Sequence, residues 1–358
     1  MTKRVMIMAG GTGGHVFPAL AVAAALQKQH AEIVWMGTAK GIEAKLVPNA
    51  GYPLHFIQVQ GLRGNGLIGW FLAPFKLVKA VYEAIRILLK EKPDVVLGLG
   101  GFASGPGGVA AWLLTKPLLI HEQNAIPGLT NRILSKLAKR VLEGFEDSFT
   151  NTGKLEWVGN PVRASIESLA RPEQRFADRS NPIRLLVLGG SLGAKALNEY
   201  VPSAMTLLNK QHYKIRHQCG ERHVSACQAA YQQADIDAEI TAFIDDMAAA
   251  YNWADLVICR AGALTIAELS AAGLGSILIP YPYAVDDHQT YNAQALVNVG
   301  AAYLIPEKTV TTEVLAEAIR DCTRDRSQLL AMANAARTQA KVGTAERISS
   351  ICLEWAHG

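Results

Sequence analysis

The 358-residue chain carries one local pattern twice, and this repeat constrains the fold more than any other feature of the sequence. A short apolar run at residues 4–9 leads into glycine-rich residues 10–15, and an alanine- and leucine-rich segment follows at 18–29. The pattern recurs from the apolar run 184–188 through the glycine-rich residues 189–193. A strand, a glycine loop and a helix in this order are typical of parallel α/β sheets. We therefore predict two doubly wound α/β domains in tandem.

Further apolar runs alternate with helical segments in both halves, as in parallel sheets covered on both faces. They lie at residues 33–36, 94–99, 118–121, 140–142, 214–218, 239–243, 256–259, 276–280 and 302–305. The uncharged stretch 95–115 has the length of a membrane span, but it holds six glycines and Pro106, so we expect a buried strand followed by a glycine-rich loop. A single core rarely exceeds roughly 250–300 residues, so the length also favours two domains, with a hinge at 158–163.

The net charge of +4 hides a difference between the two halves. Residues 1–160 hold 17 Lys and Arg against 10 Asp and Glu, a net charge of +7, and residues 161–358 hold 18 against 21, a net charge of −3. This balance is too mild to indicate nucleic acid as a partner. The five cysteines have no CxxC spacing and the N terminus has no apolar signal segment, so we expect a chain in the reducing cytoplasm.

The glycine loops match neither common nucleotide motif. The first lacks the third glycine of a dinucleotide fingerprint and has no acidic residue at the end of the second strand, and no P-loop is present. The loops remain suitable for phosphate or oxyanion binding, although tight turns alone would explain them. A more specific pattern follows the run 256–259, where Glu268 lies about one turn inside an expected helix. Its carboxylate is suited to a ribose diol or, alternatively, to its own helix.

Six segments identify a family by occurring together in order. They are residues 10–15, 100–106, 121–124, 159–163, 189–194 and 260–268. From residue 4 to the C terminus, the chain resembles glycosyltransferase family 28, the bacterial N-acetylglucosaminyltransferases of peptidoglycan synthesis. The resemblance implies two Rossmann-like domains that face a central cleft, the GT-B fold. It also implies that a final helix near 344–357 returns to the first domain, so we predict an acceptor and membrane-side domain of 1–160 plus about 337–358, and a UDP-GlcNAc-binding domain of 161–336.

The resemblance further implies inverting transfer of GlcNAc from UDP-GlcNAc to the C4 hydroxyl of MurNAc in undecaprenyl-diphospho-MurNAc-pentapeptide, lipid I, to give lipid II. This step belongs to cell-wall biogenesis, cell shape and division at the cytoplasmic face of the inner membrane, with other cell-wall synthesis proteins as partners. By match to the family's motifs, the substrate-binding residues are Thr12, Gly13, Gly14, Asn124, Arg163, Ser191, Ile244, Ala263, Leu264, Thr265, Ile266, Ala267, Glu268 and Gln289.

Inverting transfer needs a base for the acceptor hydroxyl and stabilisation of the departing diphosphate. His15 is the candidate base, because an imidazole accepts a proton near neutral pH; orienting its loop or binding phosphate are its alternative roles. Glu122 is the second catalytic candidate, to assist that base or to bind acceptor hydroxyls. No DxD metal clamp is present, and Arg163 with helix dipoles can stabilise the diphosphate, so we expect transfer without a metal or cofactor.

The segment from Leu67 to Lys90 combines large apolar residues with spaced basic ones. Such a segment is suited to an anionic membrane surface, and an amphipathic core helix with a solvated basic face is the alternative. Three other functions share the expected fold or its ligand: a UDP-GlcNAc 2-epimerase, a glycolipid glycosyltransferase, and a non-catalytic scaffold that binds nucleotide sugars.

Overall fold

The computed structural model describes residues 2–59, 66–150, 153–190 and 193–357, with the main chain alone for 66–73, 285 and 357. The chain divides into two compact units: Met1–Pro161 with Gly343–Gly358, and Val162–Val342. Each unit holds one sheet whose neighbouring strands are all parallel. The predicted pair of α/β domains with parallel sheets is therefore confirmed.

The first unit is built on a seven-stranded sheet in the order β3-β2-β1-β4-β5-β6-β7. Its strands are β1 Arg4–Met8, β2 Glu32–Gly37, β3 Leu54–Phe56, β4 Val95–Gly98, β5 Leu118–Glu122, β6 Arg140–Glu143 and β7 Leu155–Trp157. The five helices between them are α1 Gly13–Lys28, α2 Glu43–Asn49, α3 Gly66–Glu91, α4 Ser104–Leu113 and α5 Leu129–Leu137. Helices α3, α4 and α5 share one hydrophobic core on one face of this sheet, and α1 packs on the other.

The glycine-rich loop expected after β4 is shorter than predicted: it holds Gly100 and Gly101, whereas α4 begins at Ser104 and includes the later glycines. Pro106 is tolerated since it lies in the first helical turn, where its missing N–H has no intrahelical acceptor. The glycines let the helix approach its neighbours closely. A Cβ on Gly107 would lie 2.2 Å from Sδ of Met8, and one on Gly108 would lie 2.6 Å from Cδ2 of Leu134. Packing therefore overrides the weak helix propensity of this segment.

The second unit is built on a six-stranded sheet in the order β10-β9-β8-β11-β12-β13. Its strands are β8 Ile183–Leu188, β9 Tyr213–Gln218, β10 Ala238–Thr241, β11 Leu256–Cys259, β12 Gly275–Leu278 and β13 Ala302–Leu304. Its helices are α6 Ala164–Glu167, α7 Pro172–Phe176, α8 Lys195–Met205, α9 Val224–Gln233, α10 Met247–Trp253, α11 Ala263–Ala272, α12 His288–Val297, α13 Thr312–Cys322 and α14 Arg326–Thr338. The first strand of each unit lies beside the second: β1 beside β2, and β8 beside β9. The two glycine loops therefore follow strands at equivalent positions of the two sheets.

The final helix, α15 Thr344–His357, packs in the first unit against α1 and β4. The hydroxyl of Thr344 donates to the carbonyl of Val158 at 2.8 Å, and Ile348 and Ile351 are buried in the core they share with α1. The second unit continues to Val342, beyond the expected limit at 336, because α14 packs on α7, α11 and β12.

Two features bear on the cellular setting. All five cysteines are free and buried. Among the described residues, no helix is both long enough and apolar enough to cross a membrane.

Candidate active site

The first glycine loop connects β1 to α1 and carries His15 at the start of the helix. Thr12 is the extended residue that precedes α1, and its carbonyl accepts the N–H groups of His15 and Val16, both at 3.2 Å. The Thr12 hydroxyl lies 3.4 Å from Nδ1 of the imidazole. The helix start therefore holds Thr12, Gly13, Gly14 and His15 together, as the sequence predicted for residues of one site.

A second loop, between β4 and α4, packs directly on the first. Gly100 has a φ of +100°, and a Cβ there would lie 2.7 Å from Cδ2 of His15. A Cβ on Gly101 would lie 2.2 Å from the carbonyl oxygen of Gly10. Both positions therefore require glycine, and the imidazole of His15 lies against the main chain at Gly100.

One amide of the first glycine loop is held by a buried carboxylate. The Gly11 N–H donates to a carboxylate oxygen of Glu43 at 2.8 Å, so this amide is directed into the first unit instead of towards a ligand. Glu43 is the first residue of α2, and it is fully buried. This contact could not be predicted from the sequence, because 32 residues separate the two partners.

The hydrogen bonds of the buried Glu122 do not fit the catalytic role expected for this residue. One carboxylate oxygen accepts the main-chain N–H of Asn124 at 3.0 Å and its side-chain amide at 3.1 Å. The other accepts the N–H of Gly128 at 3.1 Å and the amide of Asn131 at 2.9 Å. With four donors on two buried oxygens, Glu122 fixes the loop that carries Asn124, and its carboxylate is poorly placed to take a proton from an acceptor.

His121, beside Glu122, is also a structural residue. Burial lowers the pKa of His121, so its imidazole is neutral. Its Nε2 lies 2.9 Å from the carbonyl of Gly159 and donates to it, which ties β5 to the end of the first unit's main segment.

In the second unit, Glu268 is held on both sides. Arg163 Nη2 donates to Oε1 at 3.1 Å, and the Tyr251 hydroxyl donates to Oε2 at 3.0 Å. Burial and the nearby Glu268 carboxylate raise the pKa of Tyr251 well above its usual value, so the phenol stays protonated and donates. The sequence predicted Arg163 and Glu268 as site residues, and the structure brings them into contact. Tyr251 was missed, since nothing in the pattern around it differs from an ordinary core helix.

The run from Ala263 to Glu268 forms the first half of α11, directly after β11. The side chains of Ala263 and Ile266 are buried, so at these positions only the main chain is available to a ligand. The helix begins after the extended Gly262, and its first N–H groups have no intrahelical acceptor. Such a helix start favours an anion.

Gln289 lies near the start of α12 and connects two loops of this edge. Its Oε1 accepts the N–H of Ala261 at 3.3 Å and that of Tyr281 at 2.9 Å. The side-chain nitrogen is the remaining polar group of Gln289. Arg260 completes this region by donating to the carbonyls of Ile279 and Pro280 at 3.0 and 3.2 Å and by pairing with Glu307.

The second glycine loop, after β8, is fixed by Gln218 at the end of β9. Gln218 Oε1 accepts the Gly190 N–H at 3.0 Å, and its Nε2 donates to the carbonyls of Gly190 and Ala242, both at 2.9 Å. Ser191, predicted as a site residue in this loop, lies outside the described residues. Ile244, which follows β10, lines a small cavity of about 100 Å³ together with Arg216, Glu239 and the start of α10.

Within the described ranges, no three His, Cys, Asp or Glu side chains converge as metal ligands.

Comparison with known proteins shows the family. The sequence matches the glycosyltransferase family 28 N-terminal domain over residues 5–143 and the glycosyltransferase family 28 C-terminal domain over residues 184–348. A similar protein from Nitrosococcus oceani, named UDP-N-acetylglucosamine--N-acetylmuramyl-(pentapeptide) pyrophosphoryl-undecaprenol N-acetylglucosamine transferase, is 55% identical, with 100% of each chain covered. A protein of the same name from Marinobacter nauticus is 52% identical over 99% of this chain and 98% of its own.

A solved structure agrees with the sequence comparison. The crystal structure of Acinetobacter baumannii MurG is 43% identical to this chain, with a TM-score of 0.86, and the match covers 98% of this chain and 99% of that one. Matches of this extent and identity over both units show that the chain belongs to glycosyltransferase family 28.

Proposed function

We propose that this chain transfers GlcNAc from UDP-GlcNAc to the C4 hydroxyl of MurNAc in lipid I, with inversion at the anomeric carbon. The observation that carries the proposal is the 55% identity over the full length to a transferase of that name, in a chain whose second unit holds Glu268 against Arg163 beside a helix start. We assign donor binding to the second unit, and acceptor binding and the proton transfer to the first.

Glu268 and Arg163 are suited to a nucleotide sugar. Each oxygen of Glu268 has one donor in the structure and so retains a lone pair for a ribose hydroxyl. Arg163 is half exposed, at 51%, so its guanidinium can move from Glu268 to a diphosphate oxygen. The N–H groups that begin α11 offer the diphosphate further donors along the positive end of the helix dipole.

The remaining donor contacts follow from the same geometry. We assign the main chain at Ile244 to the edge of the uracil. Because main-chain donors already occupy Oε1 of Gln289, we assign its side-chain nitrogen to a sugar hydroxyl.

His15 is the proposed base in the first unit. Its Nδ1 lies 3.4 Å from the Thr12 hydroxyl, and a neutral imidazole in this loop can accept the proton of the C4 hydroxyl. No covalent intermediate is needed, because one displacement inverts the anomeric carbon. Glu122 contributes indirectly, by holding Asn124 in place. Arg163 and the helix amides stabilise the charge of the departing diphosphate.

The outer surface of α3 supports the proposed membrane contact. Ala80, Ala84 and Leu88 face the core, whereas Phe75, Val78 and Tyr82 are 60–70% exposed on the opposite side. A purely solvated face would not carry this apolar area. Exposed basic residues lie among them at Lys76, Lys79, Arg86 and Lys90. We propose that this surface binds the anionic cytoplasmic leaflet, where lipid I presents its sugar. The predicted segment from Leu67 to Lys90 also includes residues 67–73, whose side chains lie outside the part of the chain that the structure describes.

The transferase proposal predicts that UDP release depends on the acceptor. Incubated with UDP-GlcNAc and a short-chain lipid I analogue, the protein is expected to form UDP and a disaccharide product in equal amounts, measured by chromatography of radiolabelled sugar. With UDP-GlcNAc alone, no 2-epimer is expected. Conversion of UDP-GlcNAc without acceptor would indicate an epimerase, and donor binding without any turnover would indicate a scaffold; either result contradicts the proposal.

The base assignment predicts that His15→Ala lowers kcat by about 10²- to 10⁴-fold, the usual contribution of a general base, and leaves UDP-GlcNAc affinity within about twofold. Gly100→Ala is expected to lower kcat as well, because the added Cβ displaces the imidazole. Gly105→Ala is the matched control, since its Cβ meets only Thr130 Cγ2, at an ordinary 3.6 Å. Steady-state kinetics measures kcat, and calorimetry measures the affinity for UDP-GlcNAc. A His15→Ala variant with the same kcat as the unchanged protein would refute the assignment.

The membrane assignment predicts that Phe75→Glu weakens sedimentation with vesicles containing anionic phospholipid, because a carboxylate replaces an exposed aromatic ring among basic residues. Binding of the unchanged protein is expected to fall with salt. Leu207→Glu, at a position 47% exposed in the second unit, is the control and should bind as the unchanged protein does. Vesicle binding that changes neither with salt nor in Phe75→Glu would exclude this surface as the membrane-binding site.

A further inference from the structure

We propose that Glu43 is a positioning residue for the transfer reaction: its buried carboxylate fixes the glycine loop that carries His15. The inference rests on the proposed function for its kinetic consequence and on the structure for its geometry. Glu43 lies outside every motif that identified the family, and its side chain contacts the glycine loop directly before Thr12.

The hydrogen bonds of Glu43 join two loops. One oxygen accepts both the N–H of Thr38, at 2.9 Å, and its hydroxyl, at 2.7 Å, just after β2. The other accepts the N–H of Gly11, at 2.8 Å. The first pair holds the carboxylate in place, and the single bond to Gly11 connects it to the loop after β1.

Three glycines surround this carboxylate closely. A Cβ on Gly10, Gly37 or Gly41 would lie 2.3, 2.7 or 2.0 Å from an atom of the Glu43 side chain. Side chains at these positions would therefore expel the carboxylate. Glycines at the ends of two strands and in the turn before α2 together form a pocket that fits Glu43, which indicates that the sequence is adapted to place a carboxylate there.

Burying the charged carboxylate of Glu43 in this pocket costs free energy, because the group loses its contacts with water, unless hydrogen bonds to the loops compensate the loss. Glu43 is fully buried, and among the described residues no Lys or Arg forms an ion pair with it, so hydrogen bonds alone compensate its desolvation. A buried charge that depends on three donors is a strong constraint on the position of each donor. Gly11 has a φ of +90°, and the bond from its N–H sets the direction in which the chain continues to Thr12 and His15.

Other contacts hold the loop on either side of Gly11: the start of the loop contacts Trp35 and Gly101, and the imidazole of His15 lies against Gly100. Trp35 Nε1 donates to the carbonyl of Ala9 at 2.8 Å, before the turn, and Gly101 lies against Gly10. Beyond Gly10, Glu43 supplies the side-chain bond to the main chain of the loop before α1 begins. Loss of that bond is expected to let the start of α1 and the imidazole shift while the sheet remains intact.

Glu43→Gln tests this role selectively. The glutamine oxygen can still accept both donors of Thr38, and the amide group then faces the Gly11 N–H, where two donors meet and the bond to the loop is lost. Thr38→Val is the matched control, because it removes a hydrogen bond from the same carboxylate and leaves the bond to Gly11. Both variants should unfold at temperatures close to that of the unchanged protein, as measured by calorimetry.

We expect Glu43→Gln to lower kcat by about 10- to 100-fold, since small misplacement of a catalytic group has effects of this size, and to leave UDP-GlcNAc affinity unchanged. Thr38→Val should retain kcat within about threefold. The ¹⁵N and ¹H NMR signals of the His15 imidazole, assigned with His15→Ala, should shift in Glu43→Gln and stay in place in Thr38→Val.

The NMR measurement separates this inference from the proposed function, because it needs no turnover. If the protein transfers no GlcNAc but the His15 signals shift in Glu43→Gln alone, the positioning role holds and the proposed function fails. Unchanged His15 signals and unchanged kcat in Glu43→Gln would overturn the inference. Equal losses of kcat in both variants, in step with lower unfolding temperatures, would also overturn it, since they would reflect stability alone.

Discussion

The two glycine loops, on which the candidate site depends, are each bound by a polar side chain from the neighbouring strand or from the helix that follows it. In the first unit, β2 lies beside β1, and Glu43 follows β2 to accept the N–H of Gly11. In the second unit, β9 lies beside β8, and Gln218 at its end both accepts from and donates to Gly190. A glycine-rich chain costs much conformational entropy to order, and these contacts fix it in one arrangement.

The two supporting groups differ in charge, and this difference fits the division of tasks proposed for the units. A carboxylate behind the first loop disfavours an anion in front of it, because the interaction between charges is weakly screened inside a protein. The neutral carboxamide behind the second loop carries no such penalty. The second unit therefore suits the donor diphosphate, with Arg163 and the start of α11 nearby in the same unit, while the first loop suits an imidazole and a sugar hydroxyl.

The sequence allowed the fold to be predicted well where strands are buried and long enough to form apolar runs, as at β1, β4, β8 and β11. It missed β3 and β7, three-residue strands at the edges of the first sheet in which no residue is buried, so that they produce no apolar run. It misassigned α4, since the glycines there permit close packing with Met8 and Leu134 and do not break the helix. Spacing along the chain reports local propensity, and these exceptions are determined by contacts between distant segments.

The same limit applies to the site. Motifs predicted Arg163, Glu268 and His15 as candidate site residues, and the structure brings Arg163 and Glu268 into contact. They misjudged Glu122, whose four hydrogen bonds depend on how the loop to α5 folds back on β5. They gave no sign of Glu43, Gln218 or Tyr251, which act through other residues and are separated from them by between 17 and 32 residues of sequence.

We place the donor diphosphate in the second unit, where the glycine loop follows β8 and the neighbouring strand β11 leads into α11. Calorimetric titration of UDP-GlcNAc into Gln218→Glu and Gln218→Met tests this claim. Gln218→Met loses both bonds to Gly190, whereas Gln218→Glu can still accept the Gly190 N–H but places a negative charge behind the loop. We expect Gln218→Glu to bind UDP-GlcNAc at least about tenfold more weakly than Gln218→Met, a difference of about 1.4 kcal/mol in binding free energy, and we expect added salt to reduce this difference. Equal affinities in the two variants would contradict the claim.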